Sequence, residues 1–250
     1  MKISKKEWDS YISRLSKINK TASDLVRVYA DQYGIEDVKA LVDYSYIVAQ
    51  KYGNASASLN ALMYDTIAEL EGMILPAAEL APLPEYGDVA KAIYGTLKTS
   101  QNTEEIGGAV GRLVKMTGQD TMLHNALRDK AEFAWIPVGD TCAFCITLAS
   151  RGWQPMSNKA LRHGHAEHIH SNCDCSYMVR HNTNFDVAGY DPDKYLQMYD
   201  NAEGKKPKDK INSMRRMFYK DNREEILEQK ADAYKKRKEL NNSEAEETQA

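Results

Sequence analysis

Apolar residues recur three or four positions apart through the start of the chain, which is the spacing of an amphipathic helix. The first stripe consists of Trp8, Tyr11, Ile12, Leu15 and Ile18, and Leu25, Val26 and Tyr29 continue it. Ser4 and Glu7 precede it with the spacing of a capping box, and Gly34 interrupts it after Tyr33. The pattern predicts one long helix that ends near Tyr33.

Two more helices are predicted before residue 74. Apolar positions at Val38, Leu41, Val42 and Ile47 begin a second helix. We expect it to end at Gly53-Asn54, because glycine favours helix ends. A third helix is predicted from about Ala55 to Met73. Such stripes indicate a packed helical bundle, and they contain no cofactor-binding motif.

A segment rich in proline follows the bundle. Leu75 to Gly87 holds three prolines and a glycine, which predicts a linker or hinge. Helices are then expected at Val89–Thr99, Glu104–Met116 and Thr121–Phe133. The aromatic and β-branched stretch that contains Trp135 and Ile136 predicts a short strand feeding a Gly-Asp turn.

Helical periodicity is weak between Cys142 and His181 and returns after Asp191-Pro192. A lysine-rich loop and a long charged helix from about Ile211 to Leu240 follow, and the last ten residues have the composition of a disordered tail. The fold class predicted is mainly α, with a small α+β module between the helical regions.

The overall charge and hydropathy exclude some classes of protein. The formal net charge is only −3, so the chain lacks the strongly basic balance of many nucleic-acid-binding proteins. No run of about 18 apolar residues is present, which predicts that the chain does not span a membrane. The first residues lack the apolar core of a signal peptide, so we expect a reducing compartment.

Cysteine and histidine are concentrated in one region. All four cysteines and five of the six histidines lie between Cys142 and His181. The cysteines form a Cys-x-x-Cys pair, Cys142 and Cys145, and a Cys-x-Cys pair, Cys173 and Cys175, with His170 just before the second. Tetrahedral zinc needs four sulfur or imidazole ligands, and two short arms of this kind can supply them. We therefore predict a structural zinc site.

Five candidate ligands compete for four positions. The spacing favours Cys142, Cys145 and Cys173, and the fourth ligand is either Cys175 or His170. Sulfur-rich closed sites favour Cys175. His163, His165 and His168 are expected to be exposed and solvated. His124 is expected to be structural, and His181 is expected to be a surface residue.

The cysteine pairs also permit other interpretations. A thioredoxin-type redox pair would open a helix in a βαβ context, and it would leave the second arm without a role. A zinc deaminase needs His-x-Glu before Pro-Cys-x-x-Cys, whereas His165 and Glu167 follow the pair and Thr141 precedes it. Two unrelated buried cysteine pairs remain an alternative. A zinc-containing nuclease or hydrolase that acts on nucleic acid is the alternative function.

The cysteine arms and their flanks resemble the C-terminal motif of phage Mu F-like minor head proteins of tailed bacteriophages. The resemblance rests on "IPVGDTCAFCITLASRGW" followed by "HIHSNCDC", and on the helical layout before them, over roughly residues 1 to 200. In that family the corresponding ligand positions are Cys142, Cys145, His170, Cys173 and Cys175. This chain departs from the family by having Ser171 where proline is frequent.

The resemblance implies a minor capsid protein that takes part in head morphogenesis. The implied partners are phage portal and capsid proteins, and the implied location is the virion head, with the host cytoplasm during assembly. Some relatives are described as proteases, but this chain has no Ser/His/Asp set or His-Glu-x-x-His, so that activity is not expected. Lysines and arginines from Lys205 to Arg216 predict weak contact with packaged DNA.

The predicted division of the chain follows from these segments. Its parts are an N-terminal helical region (1–74), a linker (75–87), a helical region (88–132), a zinc-binding Mu F-like module (133–182), C-terminal helices (183–240) and a disordered tail (241–250).

Overall fold

The computed structural model of the protein describes residues 2–138, 142–158, 173, 175–221 and 223. Within them the fold is mainly helical, as the sequence predicts. The helices are α1 (Lys5–Tyr33), α2 (Val38–Leu70), α3 (Tyr86–Leu97), α4 (Thr103–Arg128), α5 (Ala143–Ala149), α6 (Pro192–Asp200) and α7 (Pro207–Asp221). The strands are β1 (Lys2–Ile3), β2 (Glu132–Ile136), β3 (Gln154–Pro155), β4 (Ser176–Arg180) and β5 (Asp186–Val187).

Helix α1 begins and ends where the sequence predicts. The Ser4 hydroxyl accepts a hydrogen bond from the Glu7 backbone N–H, and the Glu7 carboxylate accepts one from the Ser4 backbone N–H. These two bonds form the predicted capping box and satisfy two of the free N–H groups at the helix start. Gly34 follows the helix with a φ of 80°, which favours glycine.

The predicted break at Gly53-Asn54 is wrong, because α2 runs unbroken from Val38 to Leu70. A helix-interior glycine costs only about 1 kcal/mol relative to alanine, which packing can offset. Gly53 is buried, and a Cβ there would be in ordinary contact with Leu83, Pro84 and Thr117. Packing against α4 and against the proline-rich segment therefore stabilises the helix at this position.

The predicted helices at Glu104–Met116 and Thr121–Phe133 form one helix, α4, which ends at Arg128. The region between them contains Gly118, which packs so closely on α2 that a Cβ there would overlap Ser56 and Asn60. Beyond α4, Phe133 belongs to strand β2 and not to a helix.

A continuous core joins the helices to a small sheet. Strand β2 lies between β3 and β4, and it is antiparallel to both. The buried residues of the sheet, including Trp135 and Tyr177, belong to the same apolar cluster as Trp8 of α1 and Tyr64 of α2. At the chain start, β1 pairs in parallel with β5, so the N-terminus is held beside the residues that follow β4.

The proline-rich segment before α3 is fixed to the helices by hydrogen bonds. The backbone N–H of Ala81 donates to the Thr121 hydroxyl, and the Asn125 side chain bonds both the N–H and the carbonyl of Glu79. From α2, the Gln50 amide donates to the Pro84 carbonyl. The division of the chain into domains stays a prediction.

Three helices follow β2 in the described part of the chain. Helix α5 follows Cys142 and was not predicted, because seven residues are too few to show a helical period. Helix α6 begins as predicted, with the Asp191 carboxylate as its N-cap and Pro192 in its first turn. Helix α7 is described to Asp221, so the predicted remainder of the long charged helix, apart from residue 223, and the tail lie outside the described residues. Among the described helices, none is both long and apolar enough to cross a membrane.

His181 lies half-buried at the end of β4, although the sequence predicted a surface residue. Its ring meets the Tyr64 ring edge-on, with the ring centroids 5.5 Å apart. The Glu71 carboxylate accepts hydrogen bonds from the backbone N–H groups of His181 and Asn182. Burial lowers the pKa of His181, and the charges of Glu71 and Asp129 oppose this shift only partly.

Acid should therefore destabilise the fold through His181. Its folded pKa lies below the ordinary unfolded value of about 6.5, so the unfolded chain binds a proton first as pH falls. The unfolding free energy should decrease as pH falls from about 6.5 towards the folded pKa. In denaturant titrations of metal-free protein, His181→Gln should show a shallower decrease than the wild-type chain. Parallel curves for the two proteins would show that His181 has an ordinary pKa.

Candidate metal centre

The candidate site lies where α5 meets the end of β2 and the start of β4. Cys142 is the N-cap of α5, with extended backbone at φ −70° and ψ 159°, and Cys145 lies in the first turn of that helix. Cys173 and Cys175 lie just before β4. Because β2 and β4 pair directly, with Ile136 opposite Ser176, the sheet holds the second arm beside Val138, which follows β2.

Three of the predicted ligands are buried together. The sulfur atoms of Cys145, Cys173 and Cys175 all lie within 4.8 Å of one another. The Sγ atoms of Cys145 and Cys173 are 3.5 Å apart, and no disulfide joins them. The three residues are only 1%, 5% and 3% exposed, respectively. The backbone N–H of Val138 donates to the Cys175 sulfur at 3.4 Å.

This geometry fits a tetrahedral metal ion. With Zn–S bonds of about 2.3 Å, two thiolates on one zinc ion stand about 3.8 Å apart. The 3.5 Å separation between the Sγ atoms of Cys145 and Cys173 is close to that value. The other sulfur pairs lie within 4.8 Å, so they would need to approach only slightly to bind one ion. Three buried cysteines close together can hold a metal ion. A backbone N–H bonded to a coordinating sulfur is also typical of such sites, since it stabilises the thiolate.

The hydrogen bonds among the thiols distribute their protons unequally. The hydrogen bonds that Cys173 accepts from Cys145 and Cys175 lower its pKa, although burial opposes the shift, and the positive charge of Lys115 lowers it further. The hydrogen bond with Cys142 is the largest of the causes that raise the pKa of Cys145. Cys173 is therefore the sulfur that the protein environment best prepares as a thiolate, the form that binds metal.

Of the other two predicted ligands, Cys142 is among the described residues and His170 is not. Cys142 is half-buried and interacts with Cys145, but its sulfur is not one of the three that lie mutually within 4.8 Å. His170 lies outside the described residues, as do His163, His165 and His168. His124 lies on α4 and is exposed. The ligand set, including the choice of a fourth ligand, stays a prediction.

Lys115 is a residue of this site that the sequence did not single out. It lies in α4, is 7% exposed, and its ammonium group donates a hydrogen bond to the backbone carbonyl of Cys173. A single lysine in an amphipathic helix is ordinarily solvated, so its type alone gave no signal. Its position did give one, because Gly107, Gly111 and Gly118 share its helical face, and all three pack tightly on neighbouring helices.

The chain matches a protein-family model described as "VG15 protein" over residues 2–202. The match includes the helical bundle, the sheet and all five predicted ligands. No curated protein and no solved structure gives a significant match. The match agrees with the phage origin that the resemblance to minor head proteins implied. The chain thus belongs to the VG15 protein family, which indicates a phage protein.

Proposed function

We propose that the protein is a minor capsid protein of a tailed bacteriophage that acts in head morphogenesis and is associated with the portal and procapsid. The observation that carries this proposal is the coincidence of two findings in one segment. The family match to a phage protein spans the cysteine arms, and three of those cysteines are buried together with a spacing that suits a metal ion. The same arms carry the resemblance to Mu F-like minor head proteins.

The metal in this proposal is structural zinc. Cys145, Cys173 and Cys175 would hold it together with Cys142 or His170. When bound, the ion would link the first turn of α5 to the start of β4. All three residues are buried in the apolar cluster that also contains Trp135 and Tyr177, which limits the access of water to them. Closed, buried coordination favours a structural role, since catalytic zinc keeps an open position.

Portal and capsid proteins are the proposed partners, and the virion head is the proposed location. Weak contact with packaged DNA is proposed for the start of α7 and the residues before it. Exposed basic side chains there support it, and they are Lys205, Lys206, Lys208, Arg215 and Arg216. Each would act by displacing counterions from phosphate, so this contact should weaken steeply with salt.

Mass spectrometry of gradient-purified virions and procapsids from the same phage tests the proposal. We expect the protein in both particles, and we expect tagged protein to co-purify with the portal protein. The matched control is the double variant Cys145→Ser with Cys173→Ser, which should lose the portal if the zinc-stabilised module forms the contact. Absence of the wild-type protein from procapsids and virions would contradict the proposal. Cleavage of DNA or RNA that depends on His170 or Glu167 would instead favour the nuclease alternative.

A further inference from the structure

Lys115 brings a positive charge into the interior of the protein. Lys115 lies in the middle of α4 and is only 7% exposed. The Cys173 carbonyl accepts a hydrogen bond from its ammonium group. Among the ion pairs between described residues, none includes Lys115. A buried ammonium costs several kcal/mol unless an opposite charge lies nearby, so a carbonyl dipole alone is a poor partner.

The surroundings on the other side of Lys115 are polar but neutral. A cavity of about 10 Å³ lies beside it, lined by Asn19, Ser56, Asn60, Gln119 and Ser176. Gln119 is 2% exposed, and neither atom of its amide has a hydrogen-bond partner among the described residues. A space of this size suits about one water molecule, which can solvate an ammonium but cannot neutralise it.

The cysteine centre can supply the missing negative charge. Zinc bound by three thiolates and an imidazole has a net charge of about −1, and with four thiolates about −2. The sulfur of Cys173 is one of the candidate metal ligands, and its backbone carbonyl accepts the hydrogen bond from Lys115. The lysine is therefore in the position of a counter-charge, in direct contact with the backbone of one candidate ligand.

We propose that Lys115 is the buried counter-charge of the metal–thiolate centre and positions the Cys173 arm against α4. This inference rests on the proposed metal site. It gives the centre a partner from the helical bundle, so metal binding is coupled to the packing of α4 against the small module. A metal-loaded module presents the negative charge of the whole centre to the ammonium, whereas a metal-free one leaves it only the Cys173 thiolate.

Three variants at position 115 separate charge from hydrogen bonding. Lys115→Met removes both, Lys115→Gln keeps an N–H donor without the charge, and Lys115→Arg keeps the charge. Zinc affinity is measured on full-length protein by competition with a chromophoric chelator. We expect Met and Gln to weaken zinc binding about 10-fold to 100-fold, the range found for residues that support metal ligands. Arg should remain close to wild type, and Lys98→Met, at an exposed site, is the matched control.

Thermal unfolding with and without metal distinguishes this role from a merely structural one. With zinc, Lys115→Met should unfold at a lower temperature than wild type. Without zinc, the decrease should be clearly smaller, because the ammonium of the wild-type chain then has only the Cys173 thiolate as a counter-charge. Equal losses in both states would overturn the proposal, as would wild-type zinc affinity in the Gln variant. If Lys115→Met fails to fold, the Gln and Arg variants still decide between charge and hydrogen bonding.

Failure of this inference is distinguishable from failure of the metal site. If wild-type protein binds no zinc, the proposed centre itself is wrong. If wild-type protein binds zinc and every variant at position 115 binds it equally well, only the role of Lys115 is wrong.

Discussion

Replacing Cys145 and Cys173 together by serine is expected to abolish zinc binding and to destabilise the protein by several kcal/mol. These sulfurs lie on different arms, 3.5 Å apart, so the double change removes a ligand from each. Zinc that binds only the folded state adds about 4 kcal/mol at a thousandfold excess of free zinc over its dissociation constant. Denaturant titration in zinc-buffered solution should show this loss, and atomic emission should find no zinc in the variant.

Chelator provides the control for this prediction. In metal-free buffer the variant and the wild-type chain should have nearly the same unfolding free energy, because the ion is then absent from both. A loss of equal size with and without zinc would show that the cysteines act as packing residues alone. Single variants, Cys142→Ser, His170→Ala and Cys175→Ser, then identify the fourth ligand by their zinc affinities.

A single methyl group at Gly107 is expected to destabilise the protein by about 3 kcal/mol, the upper part of the range for overpacked positions. A Cβ there would overlap the backbone carbonyl oxygen of Ser23 on α1, and backbone cannot move aside as a flexible side chain can. For a chain of this length, such a loss lowers the melting temperature by about 6 to 12 °C. Calorimetry of Gly107→Ala checks it.

Gly95→Ala is the matched control for Gly107→Ala. Gly95 is an exposed helix residue of α3, and a Cβ there would meet nothing within 4 Å. Alanine should stabilise that helix by up to about 1 kcal/mol, because glycine is the poorer helix former. Equal melting temperatures for the two variants would show that α1 does not approach α4 closely at Gly107.

Local sequence signals predicted those parts of the fold that depend on neighbours in the chain. The capping box of Ser4 and Glu7, the strand around Trp135 and the start of α6 at Asp191 are all formed by residues a few positions apart. The continuity of α2 through Gly53 and of α4 through Gly118 depends on packing between distant segments. Glycine is ambiguous in sequence, because it can end a helix or permit a close contact.

The candidate site was predictable in chemistry but not in detail. The spacing of the cysteines indicated two arms of one metal site, and the structure brings Cys145, Cys173 and Cys175 together. The sequence favoured Cys142 and left Cys175 as one of two choices for the fourth ligand, whereas the three sulfurs that lie together include Cys175 and not Cys142. Which sulfurs meet depends on how β2 and β4 direct the second arm. The burial of Lys115 follows from the packing of α4, and the glycines on the same helical face were its only signal in the sequence.

The zinc content of the purified chain is the decisive measurement for the proposed metal site. Protein prepared in reducing buffer without chelator should contain about one zinc ion per chain, and its cysteines should react with a thiol reagent only after the zinc is removed. A folded protein that contains no zinc, takes up none when it is supplied, and has freely reactive cysteines would show that the cysteines form no metal site.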